Sequence, residues 1–278
     1  MKNLLVKASV LAMALMLTAC SSTTSDVVTE EAVSTTEEAT TEEVVEEEAS
    51  TTSDKVWIVA TDTTFLPFEY TNESGEFVGI DVDILAAVAA DQGFAYELQS
   101  LGWDGAVAAV QAGQADAIIA GASITDERKA SGWMFSDGYF TATQTIAVAA
   151  GTEVTSWEDL AGKSVAAKNG TMGAAYAAEM SEVYGFTVAV FDDSPTMYQD
   201  VLAGNSFACF DDAPVMAATI VQNGLALEIP EGFDNEGADY GFAVMSEEAQ
   251  ELLDMFNAGL TNIKANGIYD QIIAQYLG

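Results

Sequence analysis

The amino-acid sequence predicts an α/β protein with two lobes, each built from parallel β-strands and helices. Strand-like runs alternate with helix-like runs: the buried-strand pattern of residues 56–60 precedes apolar residues at helical spacing over residues 82–92. Such alternation is typical of parallel sheets covered by helices. The elements fall into two series separated near residues 138–143, and we therefore expect two lobes.

Each series contains several expected elements. The first has strands at 94–98 and 117–120 and a helix over 103–112 that ends at Gly113, with Asp81 as N-cap of the preceding helix. The second has strands at 145–149, 164–167, 187–191 and 206–210, and helices over 173–182, 196–203 and 213–222. Two more helices are expected over 247–264 and 269–277. Since ligands of open α/β sheets bind at the carboxyl ends of strands, we expect the site residues to follow strands.

Residues 1–20 have the pattern of a bacterial lipoprotein signal peptide. Lys2 and Lys7 precede a short apolar run over residues 10–17, which is too short to span a bilayer, and Leu17-Thr18-Ala19 leads to Cys20. This order resembles a lipobox, in which the cysteine is lipidated and becomes the new N-terminus. We therefore expect a protein anchored by lipid to the cell membrane through Cys20 and facing outside the cytoplasm. A plain secretory signal with an incidental cysteine is the alternative.

Residues 21–54 have the composition of a tether. The stretch is rich in Ser, Thr and Glu, contains eleven acids and no base, and has no aromatic residue, glycine or proline. It cannot bury enough apolar area to offset the entropy cost of ordering it. We expect a disordered, self-repelling segment that holds a folded part, residues 55–278, away from the membrane.

Composition excludes several function classes. A net charge of −36 argues against nucleic-acid binding, because so few cations cannot neutralise phosphates. The absence of histidine removes Ser-His-Asp and Cys-His catalysis and histidine-ligated metal sites. The second cysteine, Cys209, has no partner within the folded part. We expect neither a metal nor a cofactor.

Arg128 is the only arginine of the chain. A guanidinium is a planar fork that binds a carboxylate through two parallel hydrogen bonds, which an ammonium cannot reproduce. We therefore predict that Arg128 holds the carboxylate of a small ligand. The alternative is an exposed arginine at the start of a helix.

Motifs in order along residues 55–278 resemble those of family 3 extracellular solute-binding proteins, the amino-acid receptors of ABC importers. The matching segments are Ala60-Thr61-Asp62-Thr63-Thr64-Phe65-Leu66-Pro67-Phe68-Glu69, Gly79-Ile80-Asp81-Val82-Asp83, Ser123-Ile124-Thr125-Asp126-Glu127-Arg128, Phe135-Ser136-Asp137-Gly138-Tyr139, Asn169-Gly170-Thr171, Asp211-Asp212-Ala213-Pro214 and Gly267-Ile268-Tyr269-Asp270. The resemblance implies a type II periplasmic-binding-protein fold, with lobe 1 over 55–139 plus 244–278 and lobe 2 over 140–243. It is greatest to glutamine-binding members, and it implies a monomer that delivers a free amino acid to an ABC permease.

The resemblance also implies how a zwitterionic amino acid is held. Arg128 takes the carboxylate and Asp212 the ammonium, although Asp212 is also a candidate N-cap of the following helix. Phe65 and Trp103 form aromatic walls, and Asp62 and Lys168 contact the far end of the ligand. The remaining ligand-binding positions supply hydrogen bonds and main-chain donors: Gly121, Ser123, Thr171 and Met172.

Asp211 departs from the pattern of glutamine-binding relatives, which have a histidine before the ammonium-binding aspartate. A second acid makes the pocket more negative, unless Asp211 pairs with Lys168. Glutamine is therefore our first candidate ligand, and asparagine, histidine, cystine and basic amino acids stay open. Two other function classes also stay open: a cleft enzyme of the cyclohexadienyl dehydratase type, in which paired acids do acid/base work, and a sensory ligand-binding module.

Overall fold

The computed structural model describes residues 55–278. The expected signal peptide (1–20), the lipidation site Cys20 and the tether (21–54) lie outside the described residues. Within residues 55–278, no helix combines the length and the apolar character needed to cross a bilayer.

Strands and helices alternate along the described chain. The strands are β1 Val56–Thr61, β2 Tyr70–Thr71, β3 Phe77–Val78, β4 Ala95–Ser100, β5 Ala117–Ile118, β6 Met134–Phe135, β7 Phe140–Ala142, β8 Gln144–Ala149, β9 Ser164–Lys168, β10 Thr187–Phe191, β11 Ala208–Asp212, β12 Leu227–Glu228, β13 Ala238–Tyr240 and β14 Ala243–Val244. The helices are α1 Ile80–Gln92, α2 Trp103–Gln111, α3 Asp126–Ala130, α4 Met172–Tyr184, α5 Ser194–Leu202, α6 Ala213–Asn223, α7 Gln250–Ala265 and α8 Ile268–Leu277. Single 3₁₀ turns occur at Trp157–Leu160 and Glu247–Ala249.

Two five-stranded sheets form the centres of two lobes. The first has the order β4-β1-β5-β14-β6, and the second the order β10-β9-β11-β8-β12. In each, three neighbouring strands are parallel, and a strand from another part of the chain joins them antiparallel: β14 beside β5, and β8 beside β11. The expected two-lobed α/β fold is therefore confirmed.

A short antiparallel pair lies where the chain passes from one sheet to the other. Strand β7 precedes the second sheet, strand β13 follows it, and the two pair with each other in register from Phe140 opposite Tyr240. Tyr240 is fully buried and forms an isolated β-bridge with Ser123, which lies in the loop after β5 of the first sheet. Both chain crossings therefore run side by side, and they bring Tyr240 next to the loop after β5.

Each lobe has its own hydrophobic core. In the first, α1 packs against α7, where Ile84, Val88, Phe256 and Leu260 are at most 2% exposed. In the second, Phe210 lies in an aromatic cluster with Trp157. Burial of such side chains contributes roughly 1.5–3 kcal/mol each to folding, so each lobe carries its own driving force.

The start of α1 differs from the expected one. Asp81 was expected as N-cap, whereas the helix begins at Ile80 and the N-cap is Gly79 at φ 143°. A Cβ at residue 79 would lie 2.0 Å from the carbonyl oxygen of Phe68, so a glycine is required there. Asp81 therefore lies inside the helix, and its carboxylate is buried and free to make contacts elsewhere.

Candidate functional site

A small cavity lies between the carboxyl ends of the strands of the two sheets. All ten residues that the sequence predicts for ligand binding line it, together with Ala120: Asp62, Phe65, Trp103, Gly121, Ser123, Arg128, Lys168, Thr171, Met172 and Asp212. They come from five separate segments of the chain, at residues 62–65, 103, 121–128, 168–172 and 212. The fold therefore brings every predicted position to one place.

Arg128 enters the cavity from the first lobe. It lies in the short helix α3, where its backbone N–H donates to the Oγ1 of the N-cap Thr125 at 3.1 Å. Its guanidinium donates through Nη1 to the carbonyl oxygen of Ser123 at 2.8 Å and through Nη2 to that of Gly170 at 3.2 Å. No acid among residues 55–278 forms an ion pair with it. The side chain is half-buried, so the alternative of an exposed arginine is wrong, and donors remain for an external carboxylate.

Two indole rings flank the Arg128 guanidinium. Its Cζ lies 4.9 Å from the ring centroid of Trp103 and 5.3 Å from that of Trp133. Trp133 is 6% exposed and stacks on Phe135 at 5.5 Å. Aromatic faces attract a cation and fix its plane without occupying its hydrogen-bond donors. Trp133 was not among the predicted site residues, and no local sequence pattern pointed to it.

Asp212 enters from the second lobe at the end of β11. It is 6% exposed and accepts hydrogen bonds from the Tyr240 hydroxyl and, at 2.5 Å, from Gln144 Nε2. Burial raises its carboxyl pKa, and the neighbouring Asp211 raises it further. Asp212 is also the N-cap residue of α6, as the alternative expected, but its side chain makes no capping bond there and is left for the cavity. Gln144 and Tyr240 flank the chain crossings, and sequence reasoning missed both.

Asp211 does not pair with Lys168 in the manner that the sequence left open. Its Oδ2 accepts from the Tyr198 hydroxyl at 2.7 Å, and its Oδ1 accepts from the Asp212 backbone N–H at 2.9 Å. Burial raises its pKa, and these donors oppose the shift. The carboxylate is turned towards α5 and away from the cavity because the tyrosine offers a closer donor there.

Lys168 forms its ion pair with Asp62, across the cavity from one lobe to the other. Both side chains are at most 4% exposed, and the ammonium lies 5.3 Å from the ring centroid of Phe65. Asp62 also accepts from the Thr63 backbone N–H at 2.7 Å. The end of the cavity where we expected the tip of the ligand's side chain therefore contains an ion pair whose two charges neutralise each other.

The other predicted positions supply backbone groups. Thr171 is the N-cap of α4, since its Oγ1 accepts from the Ala174 N–H at 3.2 Å, and Met172 is the first helical residue. A helix N-terminus offers free N–H groups that favour an anion. Gly121 has φ +53°, and a Cβ there would lie 2.4 Å from Phe65 Cε1. Only glycine therefore fits between the aromatic wall and the loop that carries Ser123.

Three consecutive residues of the second lobe contact the first lobe. Lys168 pairs with Asp62, and Asn169 Nδ2 donates to Asp104 Oδ2 at 2.8 Å. The Gly170 carbonyl oxygen accepts from Trp103 Nε1 at 3.2 Å as well as from Arg128. The lobes are thus closed over the cavity, with segment 168–170 along its rim.

Two α/β lobes, joined by two chain crossings and enclosing a small polar cavity, define a binding protein of the type II periplasmic-binding-protein fold. The chain belongs to the bacterial extracellular solute-binding proteins, family 3, whose profile matches residues 57–278. The relatives found are binding proteins, so the chain is a solute receptor and the enzyme alternative is set aside.

Several relatives are similar over most of their length. A probable histidine-binding protein of Neisseria gonorrhoeae is 30% identical over 226 residues, covering 80% of this chain and 83% of the relative. The structure of an ancestral arginine-binding protein bound to arginine is 34% identical with a TM-score of 0.74, covering 80% and 98% of the two chains. The structure of an ancestral arginine-binding protein bound to glutamine is also 34% identical, with a TM-score of 0.73, covering 80% of this chain and 98% of that chain.

Proposed function

We propose that this protein is a lipid-anchored extracytoplasmic receptor that binds one polar L-amino acid, with glutamine as the first candidate, and delivers it to an ABC permease. The observation that carries this proposal is the placement of Arg128 and Asp212. They line one cavity from opposite lobes, and neither forms an ion pair with another residue of 55–278. A cation and an anion left unpaired in a buried cavity match the two ends of a zwitterion.

The walls of the cavity favour a single amino acid. Phe65 and Trp103, which are 5% and 6% exposed, provide apolar faces for the ligand's side chain. Micromolar binding needs about −8 kcal/mol. Several charge-assisted hydrogen bonds contribute roughly 1.5–3 kcal/mol each, and burial against the aromatic rings adds to them. Together they reach that value after the entropy cost of ordering the ligand and the side chains is subtracted.

The Asp62–Lys168 pair favours a neutral polar side chain. A basic ligand needs a free acid at the far end, and Lys168 already neutralises Asp62. An amide can instead donate to the carboxylate and accept from the ammonium. Structures of ancestral arginine-binding proteins contain arginine in one case and glutamine in the other, so this fold suits either ligand, and we expect the local charges to select between them.

Closure of the lobes is the proposed mechanism of capture. We take lobe 1 as 55–139 plus 244–278 and lobe 2 as 140–243, with the β7–β13 pair as hinge. A ligand that touches Arg128 on one side and Asp212 on the other binds the closed form better and shifts the population towards it. The closed monomer then presents one surface, made from both lobes, to the permease.

The test is calorimetry and thermal unfolding with a panel of glutamine, asparagine, histidine, arginine, lysine and cystine. Two glutamine analogues serve as controls: 4-aminobutanamide lacks the carboxylate, and N-acetylglutamine lacks the ammonium. We expect glutamine to stabilise the protein most and both analogues to bind at least a hundredfold more weakly. Equal binding of either analogue would contradict the zwitterion site. The anchor is tested separately, because Cys20→Ala should release the protein from membranes.

A further inference from the structure

Two buried acids lie behind the wall of the cavity. Glu69 and Asp81 are both fully buried, at 0% exposed. Three of their four carboxyl oxygens have no donor: Glu69 Oε1, Glu69 Oε2 and Asp81 Oδ1. Buried polar atoms are almost always hydrogen-bonded, so three such oxygens together require a physical explanation.

The two acids belong to segments that form the cavity wall. Glu69 closes the turn that carries Phe65: the Phe65 N–H donates to the Glu69 carbonyl at 2.7 Å, and the Glu69 N–H donates back at 3.1 Å. Asp81 holds the next segment, since its Oδ2 accepts from the Gly121 N–H at 2.7 Å and from the Tyr139 hydroxyl at 2.8 Å. The two carboxyl groups are close enough that the charge of Asp81 raises the pKa of Glu69.

Among residues 55–278, no cation free of an ion pair acts on these two acids. The charged and titratable groups that act on Glu69 are Asp81, Asp62 and Lys168, and Tyr139 faces Asp81. Lys168 is already paired with Asp62. Burial raises the pKa of Glu69 well above its usual value, and Asp81 and Asp62 raise it further. Burial also raises the pKa of Asp81 to about 6.

We propose that Glu69 and Asp81 share one proton at neutral pH, and that this acid pair is a positioning element that ties the Phe65 turn to the Gly121 loop. Protonated Glu69 donates to Asp81 Oδ1, which satisfies an otherwise unpaired oxygen. Asp81 remains an anion that orients the Gly121 N–H. Neither acid lines the cavity, so the pair acts on the ligand through Phe65 and Gly121. The effect of the acid pair on ligand binding rests on the proposed function, whereas the sharing of the proton does not.

The proton is tested without any ligand. Wild-type protein should show the infrared carbonyl stretch of a protonated carboxylic acid at pH 7, and Glu69→Gln should lack it. If the folded state holds a proton that the unfolded state has lost, the free energy of unfolding falls as pH rises. A carboxyl group whose pKa is raised by folding therefore makes the protein less stable above its unfolded pKa. From pH 5 to 8 the stability of Glu69→Gln should therefore rise relative to wild type, by up to about tenfold in the unfolding constant per pH unit.

The matched control is Glu73→Gln, which removes an exposed acid near the same turn and should follow wild type throughout. Absence of the infrared band from wild type, or an unfolding profile of Glu69→Gln parallel to that of wild type, would overturn proton sharing. Neither result depends on which solute the protein binds, so a failed ligand assignment leaves this test intact.

The positioning role is tested by ligand affinity. Glu69→Gln keeps a hydrogen-bond donor for Asp81. Glu69→Met keeps a side chain of similar volume but removes the donor. We expect Glu69→Gln to hold the ligand within about threefold of wild type and Glu69→Met to lose roughly tenfold, the effect of one hydrogen bond to a charged group. Equal affinity of both variants, or an equal loss in both, would refute the role. If Glu69→Met prevents folding, Glu69→Leu, which also lacks a donor, takes its place in the same comparison with Glu69→Gln.

Discussion

Replacing Arg128 by lysine tests the carboxylate site most directly. The guanidinium has five N–H donors and uses one on Ser123 and one on Gly170. The remaining donors include a pair for a bidentate carboxylate. Lysine keeps the positive charge, but it has no planar fork and no flat face to pack against the rings of Trp103 and Trp133.

The expected loss follows from these contacts. One charge-assisted hydrogen bond contributes roughly 1.5–3 kcal/mol, and the stacked cation contributes about 0.5–1 kcal/mol. A sum of about 2–4 kcal/mol corresponds to a roughly 30- to 700-fold weaker affinity. Isothermal titration calorimetry with the preferred amino acid measures this change, and thermal unfolding of the unliganded variant measures stability.

The matched control is Lys129→Ala, which removes an exposed cation one residue away and should bind as wild type does. An affinity within threefold of wild type for Arg128→Lys would refute the carboxylate site, provided that both variants unfold near the wild-type temperature. A parallel loss in Lys129→Ala would instead indicate general electrostatic attraction to the cleft.

Four further predictions concern the same cavity. Asp212→Asn should weaken amino-acid binding at least a hundredfold in calorimetry without lowering the unliganded unfolding temperature at neutral pH, because the buried charge is removed; binding near the wild-type level would place the ammonium elsewhere. Lys168→Met frees Asp62 and should shift preference from glutamine towards arginine in a thermal-shift panel, and an unchanged ranking would contradict the charge argument. Trp133→Leu should weaken affinity roughly 2- to 30-fold and Trp133→Phe less, with equal losses speaking against the cation–π contact. Affinity should fall as pH drops below neutrality, because the raised pKa of Asp212 lets it be protonated before an ordinary aspartate; a flat profile in Asp212→Asn is the control.

Much of the fold and of the site was predictable from the sequence because local patterns encode them. The strand at residues 56–60 and the helix over 173–182 followed from apolar spacing, and the structure has them as β1 Val56–Thr61 and α4 Met172–Tyr184. The short strands β7 and β13 were missed, because three-residue elements carry too little periodicity. Their pairing joins positions about a hundred residues apart, which no local pattern reports.

The partners of the acids were the least predictable part of the site. Whether Lys168 pairs with Asp211 or with Asp62 depends on which side chains meet in the folded protein. Lys168 pairs with Asp62, and Asp211 accepts a hydrogen bond from the Tyr198 hydroxyl instead. Asp81 looked like a capping residue, yet it lies inside α1 and holds the Gly121 N–H. Burial and long-range neighbours decide such roles, and both arise only in the folded chain.

The sequence by itself determined the family, the two-lobed class and the ten positions that gather at the cavity, since ordered motifs and residue chemistry are written along the chain. Tertiary structure alone decided how those charges are used: that Trp133 flanks Arg128, that Lys168 neutralises Asp62, and that Glu69 lies unpaired beside Asp81. The physical reason is that electrostatic energy depends on distance and burial, and packing sets both for residues far apart in the sequence.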